Sequence, residues 1–170
     1  YIEFTTNVSQ IAIQREDFTG TFVEIARLSV TGSTINYTDT DVDVNLYSYK
    51  YRVQVIDSCG KAGAYSNEAE TILLDVQLDE VEKLVYLTWS PYREFDGSIL
   101  GYRVYRVIDD VLPASAIATV PNGQYFYNDD VNSVTSKGRI CYYVEAIEAT
   151  NQFGFAEAST SNKDCALLEP

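Results

Sequence analysis

Two kinds of residue in this chain have chemistry to offer: clustered carboxylates and three cysteines. Asp39-Thr-Asp-Val-Asp-Val-Asn45 sets a carboxylate or amide at every second position, as the start of a twelve-residue calcium loop does. Such a loop needs glycine at its sixth position for a sharp turn and a bidentate glutamate at its twelfth. Here those positions hold Val44 and Lys50, so the stretch reads as an acidic turn. A looser Ca2+ site on Asp39, Asp41 or Asp43 stays open as the alternative; no other cofactor is suggested. Asp129 and Asp130 bring acids to a matching place later in the chain, which favours a shared structural turn. With 25 acidic residues, the paired carboxylates of a glycosidase can be drawn anywhere, and no pair is marked out by its context. Histidine is absent, which excludes His-based triads and His-ligated zinc. Cys59 lies beside Gly60 with no imidazole to activate it. The chain is therefore read as non-catalytic. Three cysteines imply one disulfide and one leftover thiol in an oxidising compartment.

The formal charge of −13 repels nucleic-acid backbones and anionic membranes, so neither is expected as a partner. Apolar runs such as Ala116 to Val120 are too short to span a bilayer, and no basic and apolar leader opens the chain at Tyr1. Asn7-Val-Ser9 and Asn36-Tyr-Thr38 satisfy the glycosylation triplet, which matters only in a eukaryotic secretory pathway.

The elements that must carry these residues are strands. In Tyr47 to Asp57, Tyr49, Tyr51, Val53 and Val55 alternate with Ser48, Lys50, Arg52 and Gln54, the period of a half-buried strand. In Ile140 to Glu148, residues Ile140, Tyr142, Val144 and Ala146 take the same places. Tyr-, Val- and Thr-rich segments punctuated by Gly, Asn and Asp make the chain all-β. Tyr51 and Tyr142 lie 91 residues apart, as do Arg15 and Arg106. Ile25-Ala26 matches Ile117-Ala118 at 92, Tyr37 to Val42 matches Tyr127 to Val131 at 90, and Ser66-Asn67 matches Ser161-Asn162 at 95. Five matches in one order indicate a tandem duplication of a sandwich-sized domain. The domains are set at 1–75 and 76–170.

In the second copy, Leu84 to Trp89 reads as strand B, Leu100, Tyr102 and Val104 as the inward face of strand C, and Ala114 to Val120 as the next strand. Tyr125 to Asp129 leads into strand E, and Ser161 to Leu168 is strand G. Leu73 to Leu78 reads as the last strand of copy one, and Asp75 to Glu82 as a stiff linker, with no Gly or Pro, whose acids offer a second, weaker calcium option. By the same offset, strands A and B of copy one would fall before residue 1. They are expected upstream in a longer chain; the alternative is a half-sandwich that borrows strands from another chain. Tyr86, Tyr105 and Tyr143 fall at outward parity, read either as cross-strand packing or as a sugar- or protein-binding platform.

Tyr47 to Asp57 followed by Ser66-Asn67, and Ile140 to Glu148 followed by Ser161-Asn162, resemble strands F and G of fibronectin type III domains, so the expected fold is two tandem sandwiches, the first without its N-terminal strands. The resemblance implies a tyrosine corner at Tyr49, where a tyrosine near the start of strand F bonds back to the preceding corner. Ile140 stands at that place in copy two. It also sets strand G beside strand F, so that Cys141 and Cys165 form the disulfide and Cys59 stays a free thiol, with an exported location following from the bond. More narrowly, Tyr51 to Gly60, Tyr102 to Arg106, and Cys141 to Glu148 followed by Ser161 to Cys165 resemble segments of large surface proteins of Bacteroidota. There, such domains precede the gliding-motility-associated C-terminal domain of the type IX secretion system. That resemblance implies an extracellular or cell-surface stalk or spacer of an adhesin, with a protein or glycan as partner and no membrane insertion. The alternative is an accessory region of a secreted polysaccharide-degrading enzyme.

Overall fold

The computed structural model describes residues 7–93, 95, 97–135, 138–154 and 156–167. The chain end at 168–170, with the last residue of the predicted strand G, and residues 1–6 lie outside them. Among the described residues every regular element is a strand. Contacts divide the chain into one unit of residues 1–43 and 49–70 and a second of residues 44–48 and 71–170. The change falls between Glu70 and Thr71, a few residues before the boundary read from sequence.

The first unit is one antiparallel sheet. Its strands are β1 (Val8–Glu16), β2 (Phe22–Ser29), β3 (Lys50–Asp57), β4 (Ala62–Tyr65) and β5 (Ala69–Glu70), in the order β2-β1-β3-β4 with β5 also on β3. Both hairpin turns share one design. Asp17 Oδ1 accepts the N–H groups of Thr19 and Thr21, and Asp57 Oδ1 accepts those of Cys59 and Lys61. Gly20 and Gly60 close the turns at φ 82° and 79°, a region an L side chain rarely adopts. The outward face is more covered than the strand period predicts: Ala12, Gln14 and Ile56 are buried. Arg52 helps cover that face. Its guanidinium carbon lies 4.1 Å from the ring centroids of both Phe22 and Tyr65, and its Nε donates to Gln14 Oε1 at 2.8 Å. The aliphatic stem thereby lies along the sheet while the charge is held between two rings.

The second unit is a sandwich. Its strands are β6 (Leu74–Asp79), β7 (Leu84–Trp89), β8 (Ile99–Ile108), β9 (Ala118–Pro121), β10 (Phe126–Asp130), β11 (Arg139–Glu148), β12 (Ala158–Thr160) and β13 (Asp164–Leu167). One sheet runs β10-β7-β6 and the other β12-β11-β8-β9, with β13 also paired to β11. Val85, Leu87 and Trp89 from the first sheet meet Tyr102, Val104, Ile140, Tyr142, Val144 and Ala146 from the second. Each large side chain removed from water there contributes roughly 1.5–3 kcal/mol.

Four sequence expectations are corrected. Leu74–Asp79 is not the last strand of copy one but pairs with β7 from Leu74↔Trp89 to Asp79↔Leu84. Asp75 to Glu82 is therefore a strand and its turn, not a linker. Asp79 Oδ1 accepts the N–H groups of Val81 and Glu82 in that turn. The apolar alternation of Leu74, Val76 and Leu78 fits either side of a domain boundary, which is why sequence alone misplaced it. Leu100 is 63% exposed instead of inward. A bulge opposite Ile147/Glu148 pairs Glu148 with Ile99 and Ile147 with Gly101, which shifts the parity and turns Ile99 to the core. Glycine is required at 101 because a Cβ there would run into the Val120 carbonyl. The strand predicted from Ala114 has its ladder only over Ala118–Pro121.

The strand G predicted from Ser161 has its ladder only from Asp164 to Leu167, with β12 lying before it, and residues 161–163 between the two have another task. Asn162 Oδ1 accepts from Leu74 N at 2.6 Å, its Nδ2 donates to Leu74 O, and Asp164 Oδ2 accepts from Val76 N. Side chains thus satisfy three backbone groups at the start of the open edge of β6, an edge of the kind that otherwise invites pairing with another chain.

Candidate interaction site

The polar residues that the duplication repeats come together in space. Arg106 on β8 donates to Asp129 Oδ2 at 2.8 Å, and the Tyr142 hydroxyl on β11 donates to the same oxygen at 2.7 Å. Asp129 sits on β10, so the triad bolts one sheet to the other. Its carboxylate side chain is only 8% exposed, where an unpaired charge would be costly. In the first unit Arg15 donates to Asp39 Oδ2 at 2.6 Å and the Tyr51 hydroxyl donates to it at 2.9 Å. There the segment around Asp39 has no ladder among the described residues, so the triad holds it to the sheet directly. Burial alone would raise the Asp39 pKa; the N–H of Asp41, the Tyr51 hydroxyl and Arg15 more than offset this and hold it below the usual carboxylate range. Burial, then the neighbouring aspartate, pushes Tyr51 and Tyr142 far above the usual phenol range.

A second repeated device patches strand ladders. Ser66 N donates to Val53 O while its hydroxyl accepts from Val53 N. Ser161 does the same with Val144.

At one end of the second unit, Glu148 is 1% exposed. Its carboxylate accepts from Gly97 N, from Glu157 N at 2.9 Å and from Asn151 Nδ2 at 3.2 Å. Burial acts to raise its pKa, but these donors hold it below the usual range. Glu148 therefore ties the loop after β7 to the loop after β11. A Cβ on Gly97 would lie 2.7 Å from the Ala149 carbonyl, so the two loops touch backbone to backbone. The Tyr92 and Phe95 rings pack in the first loop with centroids 4.3 Å apart and planes tilted by 44°, and Phe153, 40% exposed, lies in the second. The Glu148 carboxylate thus holds Gly97 of one loop beside Asn151 and Glu157 of the other. Sequence reading missed Glu148, because its alternation with Ala146 marks only an inward position. It also missed the Arg-Asp-Tyr contacts.

The other predicted residues separate. Tyr105 and Tyr143 are cross-strand partners stacked at 4.6 Å and 10°, with Tyr105 bonded to Glu145 and Arg103 beside it. Tyr86 belongs to the β10-β7-β6 sheet, so the three tyrosines do not form one platform. Tyr49 accepts from Asp43 N at 2.9 Å, which places it at a corner six residues upstream. Cys141 and Cys165 are direct partners across β11 and β13 and are bonded, and Cys59 is exposed and free. Asp39 is committed to Arg15 and Tyr51, Asp41 lies within 3.7 Å of Arg15, and Asp43 holds Tyr49 through its backbone. Among the described residues no three acids, cysteines or histidines gather as a metal site. No helix there is long and apolar enough to cross a membrane.

Three strands in the order β10-β7-β6 against β9-β8-β11-β12/β13 is the fibronectin type III arrangement of the immunoglobulin-like sandwich, and the first unit presents the sheet equivalent to the second of these. The assignment rests on this strand order. The chain is similar to the crystal structure of the chicken CNTN1 FN1-FN3 domains, at 16% identity and TM-score 0.44 over 96% of this chain. It spans 57% of that structure's length. It is also similar to the chicken interferon gamma receptor alpha chain, at 10% identity and TM-score 0.40 over all of this chain and 89% of that one. No protein-family model matches the chain, and no curated protein does.

Proposed function

We propose that this chain is a non-catalytic spacer and contact module of a secreted or cell-surface adhesin, carried beside a C-terminal type IX secretion signal. The observation that carries the reading is the use of its reactive groups. Asp39 and Asp129 hold strands together, Glu148 holds loops together, and Cys141 and Cys165 hold β13 to β11. None is left poised over a cleft, as an enzyme would require. The disulfide supports an oxidising exterior, and the acidity supports solubility there. The partner is a protein or glycan at the cell surface, met by the loops that Glu148 fixes.

Antibody labelling of intact producing cells tests this, with and without a working type IX system. Surface labelling that disappears when secretion is disabled is the expected result. Retention in the cytosol of both strains would contradict it. A glycan array with the purified chain separates a sugar-binding contact from a protein-binding one.

A further inference from the structure

We infer that the Asn122–Gly123 bond is a site of spontaneous modification, at which the Asn122 amide converts to aspartate and isoaspartate. Pro121 to Gln124 forms a tight turn closed by Gln124 N donating to Pro121 O at 3.2 Å. Gly123 has φ 97°, and Asn122 is not among the residues of positive φ, so the turn is type II with glycine at its third position. Both residues are exposed, and a Cβ built on Gly123 would meet nothing within 4 Å. The nitrogen that must attack is therefore flanked by the one residue without a side chain, in open solvent. The Tyr125 hydroxyl donates to Asn122 Oδ1 at a long 3.5 Å, which polarises the side-chain carbonyl and leaves its NH2 to water.

The Gly123 amide gives its proton to a water-borne base, and its nitrogen attacks Asn122 Cγ. A C–N bond forms, the Cγ–Nδ2 bond breaks, and Nδ2 takes a proton from solvent and leaves as ammonia, giving a five-membered succinimide. Water then opens the ring at either carbonyl. One opening yields aspartate; the other yields isoaspartate, with one more methylene in the backbone. No oxidant or cofactor is needed. Other asparagines are held differently. Asn151 is 8% exposed, with Oδ1 bonded to Phe153 N and Nδ2 to Glu148. Asn162 is fixed on both sides to Leu74, and each is followed by a residue bearing a Cβ.

The place gives the change consequence. The turn carries the chain from β9 in one sheet to β10 in the other, and the Tyr125 carbonyl accepts from Trp89 N at 3.0 Å. An added methylene and negative charge there alter the crossing between the sheets.

The test is incubation of the full chain at mildly alkaline pH, followed by peptide mass mapping and hydroxylamine cleavage, which cuts at the succinimide. Conversion at 122 with cleavage between 122 and 123, both lost in N122Q, is the expected result. An Asn122 that keeps its amide in the folded chain while a denatured sample converts there would overturn the inference. So would faster conversion at any other asparagine.

Discussion

The Tyr142 hydroxyl donates to Asp129 Oδ2 at 2.7 Å across the interior of the second unit, and Arg106 donates to the same oxygen. Tyr51, Asp39 and Arg15 repeat the arrangement in the first unit. One oxygen carries two charge-assisted bonds in each case, and such bonds are roughly twice as strong as neutral ones. Two of the three members sit on adjacent central strands and the third on the segment that must be held to them.

The pH dependence follows from the directions of shift. Asp39 is depressed in the folded state, so its contribution is present above the unfolded carboxylate value of about 3.9 and is lost as pH falls through its lower folded value. Tyr142 is raised, so its contribution is present below about 10 and is lost as pH rises from there toward its folded value. Spectroscopic titration should show Tyr51 and Tyr142 failing to ionise with the exposed tyrosines and doing so only on unfolding. D39N should weaken the acid-side dependence of the first unit. Titration of all tyrosines together near the usual phenol value would contradict the buried bonds.

The loop clamp is testable by hydrogen exchange. Glu148→Gln replaces an acceptor by an NH2 group facing N–H donors, so the Gly97 and Glu157 amides should exchange faster while the central amides of β8 and β11 stay protected. Gly97→Ala should cost about 1–3 kcal/mol through overpacking against the Ala149 carbonyl. Unchanged exchange in both loops would show that Glu148 does not fix them.

The disulfide closes a sequence separation of 24 residues, so the chain-entropy relation gives roughly 3 kcal/mol. Reduction should lower the unfolding midpoint of the second unit and leave that of the first where it was. Thiol counting on the denatured, unreduced chain should return Cys59 alone. A count of three thiols would contradict the bond.

The first unit should be the less protected of the two. Ile11, Tyr51 and Val53 are half-buried, whereas their counterparts Tyr102, Tyr142 and Val144 are fully buried. Amides of β1 and β3 should therefore exchange before those of β8 and β11, with β1 and β3 opening at lower denaturant. Equal protection in the two sheets would contradict this.

Much of this was legible in the residues. Every member of the repeated network, Arg15 and Arg106, Asp39 and Asp129, Tyr51 and Tyr142, Ser66 and Ser161, fell on a match in the internal duplication. A period of two places Tyr142 inward, but it cannot say that an aspartate from the opposite sheet will meet its hydroxyl. Parity also failed at Leu100, because a bulge is invisible to alternation. It failed at Leu73 to Leu78, because an alternating strand carries no mark of which neighbour it will pair with. Glu148 was illegible for a related reason: its carboxylate is stabilised by backbone N–H groups of loops whose approach only the fold determines.

The central claim, that the repeated Arg-Asp-Tyr set holds each unit together, is tested most directly by a double-mutant cycle on Tyr142→Phe and Asp129→Asn, read by denaturant unfolding of the second unit. The Tyr142→Phe change alone should cost about 1–3 kcal/mol, because it removes a bond to a buried charge. The account predicts that the two changes couple by at least about 1 kcal/mol, in the range for residues that share one hydrogen-bond network. Costs that simply add would contradict it.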